Sequence, residues 1–165
     1  MFIRETRLDD AENLINLIKE VESNSDFMLM GAGERKTTAE QQRKQIKSIH
    51  EQYNSTIFVA EKEGELIGYL IAIGGNAERK QHVAYLIIGI LDEHRGKGIG
   101  TGLFQNVIDW AKKQSLSRLE LTVVTQNEAG VALYKKNGFD IEGIKRNSLV
   151  INGEFFDEYY MAKLL

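Results

Sequence analysis

A run of alternating glycines in the second half of the chain is the segment best suited to chemistry. Glycines stand at positions 96, 98, 100 and 102, directly after Arg95 and at the start of an amphipathic segment. Glycine lets the backbone approach a ligand closely, and the first N–H groups of a helix have no intrahelical partner. With the added charges of Arg95 and Lys97, this pattern predicts a site for phosphate or pyrophosphate. The alternative is a flexible turn that needs glycine for its geometry alone.

Two common phosphate-binding motifs do not fit this run. The dinucleotide fingerprint G-x-G-x-x-G requires glycine where the chain has Thr101 or Leu103. The P-loop requires Ser or Thr after a Gly-Lys pair, and Gly96-Lys97 is followed by Gly98. The run is therefore neither of these motifs.

The composition excludes several classes of function. The 165 residues include 21 Lys and Arg against 24 Asp and Glu, a net charge of −3 that gives no global electrostatic case for binding nucleic acid. The absence of cysteine excludes a disulfide framework, a thiolate metal site and a cysteine nucleophile. His50, His82 and His94 do not show the spacing of metal ligands, so we expect no metal.

No segment has the features of a membrane span or a signal peptide. The longest apolar stretch, residues 83–91, is interrupted by Gly89 and is far shorter than the roughly 20 residues of a membrane helix. The first ten residues lack the apolar core of a signal peptide. We therefore expect a cytoplasmic protein with no membrane partner, organised as one domain over residues 1–165.

Hydrophobic periodicity and turn signals predict the elements that position the glycine run. Their order is β-α-α-β-β-β-α-β-α-β-β, a mixed α/β fold in which the strand–helix–strand unit around the run is a parallel crossover. The segments that bear on the site are strands 56–61, 66–73, 81–91 and 117–124 and helices 98–113 and 128–136.

Local signals predict where several elements begin or turn. Asp9, with Glu12 three residues later, is expected to cap the first helix. Thr38 and Gln41 are expected to form a capping box for the second helix. Asn152-Gly153, between two apolar runs, predicts a tight β-hairpin near the end of the chain.

Two segments resemble the signatures of the GNAT superfamily of N-acetyltransferases. Arg95-Gly96-Lys97-Gly98-Ile99-Gly100 is similar to the acetyl-CoA signature R/Q-x-x-G-x-G/A. The segment 121–139 resembles the second signature, L-x-V-x-x-x-N-x-x-A-x-x-L-Y-x-x-x-G-F, in the same register. The resemblance covers roughly residues 2–165 and is strongest over 83–139. It implies a central, twisted, mostly antiparallel sheet of about seven strands flanked by about four helices.

The resemblance implies acetyl-CoA as the acetyl donor. The backbone N–H groups of residues 96–101 would hold its pyrophosphate, and its pantetheine arm would lie like an extra strand along Ile88, Gly89 and Ile90. In the family the strand splays from its neighbour at this point, and Gly89 is expected to form a β-bulge. An N–H group near Ile90 would stabilise the oxyanion of the thioester. The plain alternative for the Ile88 and Ile90 side chains is packing in the core.

Asn127 and Tyr134 belong to the second signature. The resemblance implies that Asn127 contacts the cofactor and that Tyr134 protonates the departing CoA thiolate. The residue types alone also allow a helix N-cap for Asn127 and a packing role for Tyr134. With a tyrosine pKa of about 10 and a thiol pKa of about 8.5, the proton transfer from tyrosine to thiolate is uphill by about 2 kcal/mol, unless the site shifts one of these pKa values. The expected cofactor-binding residues are Ile88, Gly89, Ile90, Arg95, Gly96, Lys97, Gly98, Ile99, Gly100, Thr101 and Asn127.

The sequence does not identify a general base. Many members of the family place a glutamate about eleven residues before the first signature, where this chain has Ala84. His82, Glu93 and a chain of water molecules remain as alternatives. A site without a strong base favours an amine of low pKa, because an α-amine (pKa about 7.8) is neutral far more often at pH 7 than a lysine-type amine (pKa about 10.4).

The resemblance places the acceptor site between the first two helices, their connecting loop and the last hairpin. The apolar and aromatic residues of these segments are Phe27, Met28, Met30, Tyr53, Phe155, Phe156 and Tyr159. Arg35 and Lys36 add positive charge, which suits a small amine carrying a carboxylate or phosphinate, or a peptide N-terminus. The same apolar residues are equally compatible with a place in the core or with a homodimer face.

The predicted function is transfer of the acetyl group from acetyl-CoA to a primary amine of a small molecule or of a peptide or protein N-terminus. Because the chain has no cysteine, the amine must attack directly in a ternary complex rather than through a thiol acyl-enzyme. The alternative is a non-catalytic acyl-CoA sensor built on the same fold.

Overall fold

The computed structural model describes every residue from Met1 to Leu165, and its element order is the predicted one. Seven strands and four α-helices make up the fold. In chain order they are β1 (Phe2–Glu5), α1 (Ala11–Asn24), α2 (Ala39–His50), β2 (Thr56–Lys62), β3 (Glu65–Gly74), β4 (Val83–Ile90), α3 (Ile99–Lys113), β5 (Arg118–Val124), α4 (Glu128–Lys136), β6 (Asp140–Ile151) and β7 (Glu154–Leu164).

The seven strands form one mixed sheet in the order β1-β2-β3-β4-β5-β7-β6. Five of the neighbouring pairs are antiparallel, and only β4 and β5 are parallel. Parallel neighbours need a crossover connection, and α3 supplies it. The predicted mixed, mostly antiparallel sheet and its parallel crossover are confirmed.

The parallel pair opens shortly after it begins. Only Val83, Ala84 and Tyr85 of β4 pair with β5, opposite residues 118–120. Beyond this point β4 stays paired with β3 as far as Ile90, while the whole of β5 stays paired with β7. The two strands therefore diverge, and a wedge opens in the middle of the sheet.

Helices cover both faces of the sheet. Side chains alternate between the faces along a strand. On β3, the space beside Gly68 faces Ile99 of α3, whereas its neighbour Tyr69 points to the opposite face, where α1 packs. The helices bury apolar stripes against the sheet: Leu14, Leu17, Ile18 and Val21 of α1, and Leu103, Phe104 and Val107 of α3, are all at most 5% exposed. The longest helix, α3, has 15 residues, and none of the helices combines the length and the apolar character that a bilayer crossing requires.

Two of the three local signals act as predicted. The N–H of Gln41 donates to Thr38 Oγ1 at 3.2 Å and the N–H of Thr38 donates to Gln41 Oε1 at 2.9 Å, which completes the capping box of α2. Asn152 and Gly153 both have positive φ angles, 52° and 78°, as a tight hairpin turn requires. The hairpin joins β6 to β7 as expected.

The predicted cap of α1 at Asp9 is wrong. Residues 8–10 form a short 3₁₀ turn and α1 begins at Ala11. The neighbouring Asp10 makes the hydrogen bonds at this helix start instead. Its carboxylate accepts from the Arg7 N–H at 2.7 Å and from the Arg4 guanidinium at 2.7 and 2.9 Å. The tertiary contact with β1 selects Asp10 over Asp9, whose side chain is 83% exposed.

The Arg4–Asp10 pair gives a testable contribution to stability. The Arg4 guanidinium holds the pKa of the Asp10 carboxyl below its usual range. Asp10→Asn should lower the free energy of unfolding at pH 7 by about 2 kcal/mol, because a part-buried guanidinium loses the nearer of its two charged partners and keeps only Glu61 at 3.5 Å. The contribution is present above the unfolded-state pKa of about 3.9 and is lost as the pH falls through the lower folded-state pKa, so the two proteins should converge in acid.

Urea unfolding of both proteins across this pH range measures the difference. Asp9→Asn is the matched control and should change stability by no more than about 0.5 kcal/mol. Equal losses in the two variants would contradict the assignment of the carboxylate to Asp10.

Candidate functional site

A cleft of about 710 Å³ lies where β4 and β5 diverge. Its walls are the end of β4, the start of α3, the first two turns of α4 with the residues before it, and the end of α1 with the loop that follows. Eleven of the twelve residues predicted for catalysis and cofactor binding line this cleft. The exception is Lys97, whose side chain is exposed outside it.

The start of α3 presents free backbone donors to the cleft. Gly98 caps the helix with φ 83°, a left-handed conformation that favours glycine, and no side chain caps the helix. The first intrahelical hydrogen bond runs from Gly102 N–H to Gly98 O at 3.0 Å, so the N–H groups of residues 99–101 precede it. These donors, together with the positive end of the helix dipole, can bind an anion.

The end of β4 has one edge without a strand partner. After Tyr85 its edge towards β5 is unpaired, so a ligand with amide groups can add to it as a strand would. The β-bulge predicted at Gly89 is wrong, because β4 pairs with β3 in continuous register from Ala84 to Ile90. Glycine is required there for another reason: a Cβ at Gly89 would lie 2.6 Å from the ring of Tyr69.

Asn127 caps α4, and its side chain also faces the cleft. Its Oδ1 accepts a hydrogen bond from the N–H of Gly130 at 3.0 Å. Gly130 stands where the second signature has alanine, so the match to that signature is incomplete at this position. A Cβ at Gly130 would lie 2.7 Å from Asn127 Nδ2, so the glycine makes room for the capping side chain.

Tyr134 is buried at the cleft with an unused hydroxyl. Its ring packs edge-on against Phe104, with centroids 5.6 Å apart, and next to Phe139. Of the six tyrosines, only Tyr53 and Tyr85 form hydroxyl hydrogen bonds within the chain. Burial raises the pKa of Tyr134 to about 12, with a smaller contribution from Tyr85. The phenol is therefore neutral and holds a transferable proton throughout the physiological pH range.

The candidate bases do not meet at this cleft. Ala84 is fully buried in the paired part of β4. His82 precedes β4, at the end of the strand remote from Gly89, and its side chain is exposed outside the cleft. The Glu93 side chain is 71% exposed and also lies outside. Of the sequence alternatives, only proton transfer through water fits this arrangement.

The predicted acceptor residues are only partly brought together. Phe27 and Met28 line the cleft, and Phe27 packs edge-on against Phe156 with ring centroids 6.4 Å apart. Tyr53 instead contacts the carbonyl of Gln81, outside the cleft. The remaining predicted acceptor residues, which are Met30, Phe155, Phe156 and Tyr159, do not line it either.

Two residues beside the cleft were missed by the sequence analysis. Tyr69 of β3 is 1% exposed and contacts Gly89. Glu22 of α1 is 4% exposed, and its carboxylate accepts hydrogen bonds from Arg35 Nε and Nη2, each at 2.8 Å. A signal existed for Glu22, because it follows Ile18 by four residues and therefore falls on the buried stripe of α1.

Comparison with known proteins agrees with this geometry. The family model described as "Acetyltransferase (GNAT) family" matches residues 20–139. The chain belongs to the GNAT family of acetyltransferases. It is an acyltransferase that depends on acetyl-CoA.

Individual relatives show how far the likeness of this acetyltransferase extends. It is 33% identical to the L-amino acid N-acetyltransferase AaaT of Escherichia coli (strain K12), over 62% of this chain and 64% of that protein. It is 31% identical to "Probable N-acetyltransferase YjcK" of Bacillus subtilis (strain 168), over 99% of this chain and 93% of that protein. The crystal structure of a GNAT family acetyltransferase from Streptococcus pneumoniae superposes with a TM-score of 0.96 at 31% identity, covering 99% of each chain.

The cap of α4 in the acetyltransferase can be tested by two substitutions. Asn127→Ala removes the acceptor for the Gly130 N–H and should lower the free energy of unfolding by about 1 kcal/mol. Asn127→Asp keeps an acceptor oxygen and should stay within about 0.5 kcal/mol of the parent protein. Thermal unfolding measures both changes, and an Ala variant as stable as the Asp variant would show that the cap contributes nothing.

Proposed function

We propose that the acetyltransferase transfers the acetyl group of acetyl-CoA to a primary amine by direct attack in a ternary complex. The observation that carries this proposal is the composition of the cleft. There the free N–H groups of α3, the unpaired edge of β4 and the neutral hydroxyl of Tyr134 meet. The acceptor is a small amine or a peptide or protein N-terminus.

The residues present fit acetyl-CoA, which supplies an activated acetyl thioester when bound. The N–H groups of residues 96–101 suit its pyrophosphate. Arg95 is held beside them by a 3.1 Å ion pair with Asp92 and supplies positive charge. The edge of β4 along residues 88–90 suits the amides of pantetheine, and the Ile90 N–H suits the developing oxyanion. Asn127 lies at the same wall.

Tyr134 is the proposed general acid. Against a thiol pKa of about 8.5, a phenol pKa of about 12 makes proton donation uphill by roughly 5 kcal/mol if the thiol has its solution value. The burial that raises the pKa of Tyr134 also raises that of a thiol placed beside it, because desolvation penalises both anions. Because both pKa values rise together, the free energy needed for the proton transfer is smaller than the value calculated with the solution pKa of the thiol.

A panel of amines tests the activity. The acetyl-CoA-dependent release of free thiol is measured with amino acids, polyamines, aminoglycosides, phosphinothricin-like acids and ribosomal-protein N-terminal peptides. Amino acids belong in the panel because the name of the Escherichia coli relative refers to them. Release with one class of amine supports the proposal and identifies the acceptor class.

Tyr134→Phe tests the general acid. It should lower kcat by about 100-fold or more, as the loss of general acid catalysis does, while the affinity for CoA stays within twofold. Tyr53→Phe removes a hydroxyl outside the cleft and is the control that should retain full activity. CoA binding without thiol release on any amine would favour the sensor function. The absence of CoA binding would contradict the assignment of the cleft.

The pH profile tests the absence of a strong base. His94, Asp26 and Glu128 line the cleft. If none of them acts as a base, kcat/KM should rise with pH as the free amine deprotonates, so the apparent pKa should follow the amine used. Tyr134 is active while protonated, so its raised pKa predicts no loss of activity below about pH 11. Profiles with two amines of different pKa make the comparison, and one shared enzyme pKa for both would reveal a base.

A further inference from the structure

Tyr69 approaches the reactive part of the cleft from the sheet face covered by α1. It lies directly opposite Gly89 in the β3–β4 register. A Cβ at Gly89 would lie 2.6 Å from Tyr69 Cζ and 2.7 Å from its hydroxyl oxygen. The hydroxyl end of Tyr69 therefore rests against the backbone of a cleft residue, at the stretch of β4 proposed to bind the pantetheine arm next to the thioester.

The acceptor must reach the thioester from this same face. On the other face, the space beside the cleft is filled by Phe104, Phe139 and the ring of Tyr134, all at most 9% exposed. The end of α1 and the loop that carries Phe27 and Met28 form the remaining wall. Tyr69 does not itself line the cleft, but its hydroxyl end lies next to Gly89, which does.

The surroundings keep the Tyr69 phenol neutral and fixed. Burial is the main cause that raises its pKa, with smaller opposing effects from Glu22, which raises it, and Arg35, which lowers it. Those two charges are joined by the hydrogen bonds of their ion pair. Tyr134 has a smaller effect that also raises the pKa of Tyr69.

The hydroxyl of Tyr69 has no partner in the chain. Tyr53 and Tyr85 are the tyrosines whose hydroxyls are hydrogen-bonded internally, and Tyr69 is only 1% exposed. His94 Nδ1 is the one fully buried side-chain polar atom without a partner, so the small exposed part of Tyr69 includes its hydroxyl oxygen. A free oxygen at this position can accept a hydrogen bond from a bound substrate.

We propose that the Tyr69 hydroxyl oxygen accepts a hydrogen bond from the N–H of the acceptor amine and so aims the nitrogen lone pair at the acetyl carbon. This assignment rests on the proposed function. The nitrogen–carbon bond forms as the carbon–sulfur bond breaks, and Tyr134 gives its proton to the sulfur. The proton lost by the nitrogen passes through water and restores Tyr134. Tyr69 keeps its own proton throughout, so it binds and orients the amine.

Tyr69→Phe is the test, because it removes one oxygen and keeps the ring that packs on Gly89. It should lower kcat/KM for the amine by about 10-fold, the value of one hydrogen bond, mainly through a higher KM for the amine. The KM for acetyl-CoA should stay within twofold. The melting temperature should stay close to that of the parent protein, because the hydroxyl makes no hydrogen bond within the chain. Tyr53→Phe is the matched control and should leave every one of these values unchanged.

The outcomes separate the two proposals. An active parent protein with an unchanged kcat/KM in Tyr69→Phe would overturn the role of Tyr69 and leave the proposed function intact. A variant with lower stability and weaker acetyl-CoA binding would show a structural role and would also overturn the inference. A parent protein that releases no thiol with any amine would overturn both proposals.

Discussion

The divergence of β4 from β5 is the constraint on which the rest of the structure depends. Each strand is held on its other edge by an antiparallel neighbour, β3 for β4 and β7 for β5, over its full length. Parallel pairing between them is limited to three residue pairs. The sheet thus leaves one strand edge unpaired in its interior, where a buried backbone edge would otherwise be costly. A ligand that hydrogen-bonds to this edge completes the sheet.

The helices turn this opening into a shaped cleft. Residues between β4 and α3 bring the first N–H groups of α3 to the mouth of the wedge, with Gly98 providing the left-handed turn. Residues between β5 and α4 place Asn127 at the start of α4, so that Tyr134 falls two turns further on and faces the same space. Two short connections from two diverging strands therefore put a helix end with free N–H groups and a neutral phenol into one cavity.

Two neutral phenols stand at or next to the cleft. Tyr134 and Tyr69 are both buried, and burial raises the pKa of each. Glu22, the buried charge that acts on Tyr69, is paired with Arg35. The cleft also has ionisable side chains, because Asp26, His94 and Glu128 line it, whereas Ala84 supplies no carboxylate.

The sequence by itself determined the order of the elements, the parallel crossover and most of the cleft. The signals that predicted these features depend only on residues close together in the chain, so they can be detected in the sequence. They are the local periodicity, the Thr38–Gln41 capping box and the Asn152-Gly153 turn. The resemblance over residues 83–139 added predictions of the roles of the glycine run, Asn127 and Tyr134.

Only the tertiary structure decided contacts between residues distant in the chain. It selected Asp10 over Asp9 because Arg4 of β1 reaches Asp10. It replaced the expected bulge at Gly89 with a close contact to Tyr69, 20 positions earlier in the chain. It left Lys97, His82 and Glu93 outside the cleft and joined Glu22 to Arg35 beside it. The physical reason is common to all of these: packing across strands and between faces is set by the register of the sheet, which no local pattern contains.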